Sequence, residues 1–77
     1  MNKYKHITFD KNILGGKPII AGTRISVELI LEWIAAGSSV DQIVESYPHL
    51  KKVAVKEAIL YATDVAKNEI LIEPTGH

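Results

Sequence analysis

Few residues in this chain could do chemistry, and they are scattered. His6, His49 and His77 stand far apart, and none has a nucleophile or carboxylate at a spacing that would build a catalytic pair or a metal-ligand cluster. No enzymatic activity, no metal and no cofactor are expected, and His49, beside Pro48, is read as ordering a turn. Gly15, Gly16 and Gly22 lie close to Lys17 and Arg24, but no Gly-Lys-Ser/Thr follows a four-residue gap, so a Walker loop is excluded. Those glycines are expected to make backbone turns.

The cations are more informative. Lys51, Lys52 and Lys56 fall at the start of a helical segment, where the macrodipole disfavours positive charge by a few tenths of a kcal/mol each. A passing phosphate backbone would turn that cost into attraction; the competing reading is a solvated face. Arg24 ends a turn, and its forked guanidinium suits a carboxylate or phosphate. It could equally clamp the N-terminal segment to the helices through Glu28 or Glu32.

The elements that must position these groups follow from periodicity. Residues 4–9 alternate as a short strand, and residues 17–25 suggest two very short strands about a glycine turn, with Pro18 pointing to a sheet edge. From Ser26, an N-cap, the period becomes helical: Val27, Ile30, Leu31 and Ile34 share one face, and Gly37 marks the end. Ser39 and Gln42 form a capping box opening a short second helix with Val40, Ile43 and Val44 inward, stopped before Pro48. A third helix starts near Lys51 or Lys52 and runs to about Asn68, with Val55, Ala58, Ile59, Ala62 and Ala66 inward. The expectation is a mainly α fold in one domain. An N-terminal β arm and Gly-rich hairpin (1–25) precede a three-helix, helix-turn-helix-like bundle (26–68), and a flexible tail follows (69–77).

At 77 residues, a chain this short buries only about 60% of its unfolded surface, so self-association would help it. Leu29, Trp33, Leu60 and Tyr61 fall off the inward stripes and are the candidate homodimer interface. Net charge is zero but unevenly spread. Residues 1–25 hold five Lys and Arg against Asp10, whereas residues 26–50 hold Glu28, Glu32, Asp41 and Glu45 and no Lys or Arg. This argues against wholesale polyanion binding while leaving room for a local basic patch. The longest apolar runs are too short for a membrane span and no secretory leader is visible, so the expected location is the cytoplasm.

The segment from Gly15 to Val27, GGKPIIAGTRISV, resembles a bacterial and archaeal family long called domain of unknown function four-three-three. Ala36-Gly37-Ser38-Ser39, the run from Ile43 to Leu50 and Ala58-Ile59-Leu60-Tyr61-Ala62 extend the likeness over roughly Ile7 to Ala66. One departure is Lys51-Lys52-Val53-Ala54, where the family usually opens its third helix with a Ser or Thr cap and acidic residues. Members resemble Vap-type antitoxins of type II toxin–antitoxin pairs, helix-turn-helix-like proteins that neutralise a PIN-like ribonuclease toxin. The resemblance implies such a toxin as partner; the nuclease would hold its own magnesium, and Lys17 or Arg24, basic side chains suited to metal-ligating carboxylates, is expected to be the group reaching it. As a DNA-binding antitoxin the chain would regulate its own transcription, with the lysines at the start of the third helix, Lys51, Lys52 and Lys56, contacting double-stranded operator DNA. The alternative is a protein-binding module that masks a partner without binding DNA.

Overall fold

The computed structural model describes residues 3–72 and contains a two-stranded sheet followed by three helices. Strand β1 (Ile7–Phe9) pairs antiparallel with β2 (Pro18–Ile20), with Ile7 opposite Ile20 and Phe9 opposite Pro18. The hairpin expected within residues 17–25 is therefore not the main pairing. The Thr23 hydroxyl donates to the Ile20 carbonyl at 2.8 Å and accepts from the Ile25 amide at 2.9 Å, which curls the chain and leaves a single bridge between Ile19 and Ser26. The connection between the strands reverses through Leu14, Gly15 and Gly16, all at positive φ (52°, 67° and 87°). Glycine adopts that region freely, but Leu14 does so at some steric cost.

Helix α1 (Val27–Ala35) starts where the Ser26 hydroxyl accepts from the Leu29 amide at 2.9 Å. It ends in a Schellman motif: Ser38 N–H donates to the Trp33 carbonyl and Gly37 N–H to that of Ile34, with Gly37 at φ 110°. Helix α2 (Val40–Ser46) opens with both halves of the expected capping box, Gln42 N–H to Ser39 Oγ and Ser39 N–H to Gln42 Oε1. Tyr47, ahead of Pro48, leaves the helical region and its carbonyl accepts from Leu50 N–H at 2.8 Å. Helix α3 (Lys52–Ile72) follows, and the Lys51 carbonyl receives its first amide bonds, from Ala54 and Val55. It continues four residues beyond the expected end; residues 73–77, the rest of the expected tail, lie outside the described residues.

The core joins all these elements. Ile7 and Ile20 from the sheet, Val27 and Ile30 from α1, Ile43 from α2, Leu50 from the turn, and Ala54, Val55 and Ala58 from α3 are buried together. Small alanines on α3 let the sheet approach it closely. Two expected core positions lie elsewhere: Leu31 stands at the rim of α1, and Ala66 is exposed. At 1.5 Å per residue α3 is about 31 Å long while α1 is about 13 Å, so α3 outruns the bundle that would have covered Ala66. Replacing Ile30 by Ala is expected to cost about 3 kcal/mol and replacing Ser26 by Ala about 1 kcal/mol, read from denaturant melts. An Ile30→Ala loss below about 1 kcal/mol would show that this core is not the one described.

Candidate functional site

Helix α3 serves three surroundings on three faces. Ala54, Val55 and Ala58 turn inward. Glu57 and Asp64, seven residues apart and so two turns along one line, turn toward the N-terminal segment. The Glu57 carboxylate accepts the His6 backbone N–H at 2.6 Å and lies 2.9 Å from the His6 ring Nδ1. Asp64 accepts the Tyr4 hydroxyl and is 3.4 Å from the Lys3 ammonium. The Tyr4 ring meets Tyr61 edge-on at 5.2 Å, and Phe9 meets Tyr61 at 6.2 Å. The arm is thus strapped along α3.

These contacts shift three groups. The His6 backbone N–H holds the Glu57 carboxyl below its ordinary value, and the Tyr4 hydroxyl does the same to Asp64. The Tyr4 phenol, hydrogen-bonded to that carboxylate, is pushed up to about 12. Depressed carboxylates contribute stability that is present above their ordinary range and lost as pH falls through their folded values. The raised phenol contributes stability present below pH 10 and lost as pH rises toward 12. An absorbance titration should show one tyrosine ionising near pH 12, and Tyr4→Phe should remove that step; its persistence in the variant would assign it to another tyrosine.

The third face of α3 is open. Lys52, Val53, Lys56, Leu60, Thr63 and Lys67 are all exposed, and at 3.6 residues per turn they fall within a sector of about 100°. This brings two of the three expected DNA-contacting lysines, Lys52 and Lys56, onto one stripe; Lys51 precedes the helix and is exposed beside it. Lys52 Nζ lies 2.9 Å from Asp41 at the start of α2, an exposed pair that offsets part of the dipole penalty Lys52 meets at the start of α3.

On the arm, Lys17 makes the clamp to α1 that Arg24 could have made through Glu28 or Glu32. Lys17 Nζ, rather than the guanidinium, reaches Glu28, at 2.8 Å, and that carboxylate raises the Lys17 pKa. Arg24 forms no hydrogen bond or ion pair among the described residues. It borders two open grooves, one of about 430 Å³ against Leu14, Leu29 and Glu32, the other of about 580 Å³ against Phe9 and Ile13. Of the four residues expected at a dimer interface, Trp33 stacks on Tyr47 at 4.9 Å and Tyr61 holds the arm, so both are half-covered by their own chain. Leu29 is half-buried and Leu60 is exposed. His49 lies edge-on to Tyr47 at 6.4 Å, while the turn itself is closed by the backbone. Among the described residues no three His, Asp or Glu side chains are grouped to hold a metal, and no helix is long and apolar enough to cross a membrane.

The model of a family described as protein of unknown function, DUF433, matches residues 7–62. The chain belongs to that family. The matched span begins with β1 and ends at Ala62, where α3 leaves the bundle, so the family unit coincides with the packed part of the fold. An uncharacterized protein of Sinorhizobium fredii (strain NBRC 101917 / NGR234), y4eO, is 38% identical over 56 residues, covering 73% of this chain and 25% of that protein. The chain spans about a quarter of the length of the relative it matches. No solved structure matches the chain.

The arm–helix strap was missed at the level of sequence because Glu57 and Asp64 read as scattered acids. Their seven-residue spacing on one helix, with Lys3, Tyr4 and His6 at the other end of the chain, was the available signal.

Proposed function

We propose that this chain is the antitoxin of a type II toxin–antitoxin pair, one that neutralises a PIN-like ribonuclease, binds operator DNA through α2, its turn and α3, and so regulates its own transcription. The observation that carries the reading is the start of α3. A short capped helix and a tight turn deliver a long helix with Lys51 exposed just ahead of it and Lys52 and Lys56 exposed on its first two turns. A helix in that setting is what a major groove admits, and lysines at its start suit the flanking phosphates. Both the operator and the RNA cut by such a nuclease would place the protein in the cytoplasm.

Toxin contact is assigned to the arm surface. Arg24, without an ion pair among the described residues and exposed between two grooves, is the group suited to enter a cluster of metal-ligating carboxylates in the nuclease and displace its cation. Lys17 is the weaker candidate because Glu28 already holds it. With the cognate nuclease, Arg24→Ala should weaken inhibition roughly tenfold or more, as loss of a charged hydrogen bond does, and Lys17→Ala less. Full inhibition by both variants would move the contact elsewhere.

The DNA arm of the reading is tested by salt. Each phosphate contact contributes about −0.9 to the slope of log affinity against log salt, so three lysines per chain allow a slope no steeper than about −3 per bound chain. Replacing Lys51, Lys52 and Lys56 with Gln should flatten the slope and weaken all sequences alike. Unchanged affinity for the upstream DNA would remove α3 from the interface and favour the second reading, a module that masks a protein partner. Exposed Val53 and Leu60, lying among the lysines of α3, are the observation on that side.

A further inference from the structure

The open stripe of α3 has a counterpart on the same molecule. On α1, Glu28, Leu31, Glu32 and Ala35 are exposed and occupy positions i, i+3, i+4 and i+7, one helical face. That face is acidic with an apolar centre, and neither α1 nor α2 contains a Lys or Arg. The α3 stripe is basic with an apolar centre: Val53 is 54% exposed and Leu60 48% exposed, Lys52, Lys56 and Lys67 surround them, and no acid lies in the sector. Leu31, at the middle of the α1 face, is 36% exposed.

We propose that a second copy of this chain docks the acidic face of its α1 on the basic stripe of α3, with Leu31 of one copy against Leu60 of the other. The argument is charge complementarity. Each copy is neutral overall but divides its charge by segment, so each carries both halves of the contact. Within one chain the same attraction is already at work at exposed positions, where Lys17 meets Glu28 and Lys52 meets Asp41. Lys56, Lys67 and Glu32 have no such partner among the described residues, and they are the charges left for the second copy. Lys56 cannot serve a carboxylate and a phosphate at once, so copies associated in this way and copies bound to DNA are alternative states. The proposal does not depend on the antitoxin reading.

The test is a charge swap divided between two variants. One carries Lys56→Glu and Lys67→Glu, leaving both faces acidic; the other carries Glu28→Lys and Glu32→Lys, leaving both faces basic. All the altered positions are exposed, so thermal melts by circular dichroism should match the parent for the Lys56 and Lys67 variant and fall by no more than a few degrees for the other, which gives up the exposed Lys17–Glu28 pair. In sedimentation velocity at low salt the parent should associate, and raising salt from about 50 mM to about 500 mM should weaken it roughly tenfold, as exposed charges are screened. Each variant alone should be monomeric, and a one-to-one mixture should associate again. A monomeric parent at low salt, variants that associate like the parent, or a mixture that stays monomeric would each overturn the proposal. Should either variant melt early, Leu31→Ala with Leu60→Ala replaces it. That pair should lower association at least tenfold, and parental association by it would overturn the proposal equally.

Discussion

The Glu57 carboxylate on α3 is the contact on which the rest of this small fold leans. It takes the His6 backbone N–H directly, at 2.6 Å, and so fixes the chain one residue before β1 begins. A two-stranded sheet of three residues per strand has little stability of its own in water. Anchored to α3 at His6 and again at Tyr4, it presents Ile7 and Ile20 to Val55 and Ala58 and completes the core. Without that anchor α1 and α3 would each lack part of their cover, since α1 and α2, nine and seven residues long, cannot bury a 21-residue helix.

The strap also decides which surfaces are free. Because Glu57 and Asp64 hold the arm against one side of α3, the stripe from Lys52 to Lys67 remains open, and although Asp41 of α2 pairs with Lys52, no acid on the stripe itself cancels Lys56 and Lys67. The arm in turn is held with its outer side exposed, so that Arg24 borders two grooves and Phe9 and Leu14 reach solvent. One helix therefore separates two candidate interaction surfaces, a basic stripe for a polyanion or an acidic face and an arm surface carrying an exposed guanidinium.

Local signals were legible in the sequence, and long-range ones were not. Ser26, Ser39 with Gln42, Gly37 and Pro48 each act within a few residues, and α1 and α2 begin and end where those local rules place them. The pairing of β1 with β2 was not legible, because a three-residue strand carries too little pattern to choose its partner and the nearer Gly22 turn competes for it. Arg24 offered one reading as a clamp to Glu28 or Glu32, yet the choice between Arg24 and Lys17 depends on which side chain the turn at Leu14–Gly16 delivers over α1. The exposure of Ala66 and the rim position of Leu31 followed from how far each helix outruns its neighbours, which periodicity does not encode.

Amide hydrogen exchange tests the central claim, that the arm is part of the cooperative core through Glu57. In the parent, Ile20 N–H and Ala21 N–H, bonded to the Ile25 and His6 carbonyls, should be protected to within about tenfold of Val55 and Ala58 in α3. In Glu57→Gln the arm amides should lose protection by more than about tenfold while those of α3 hold most of theirs. Arm amides that exchange in the parent as fast as an unstructured peptide, or that are indifferent to Glu57, would contradict this account.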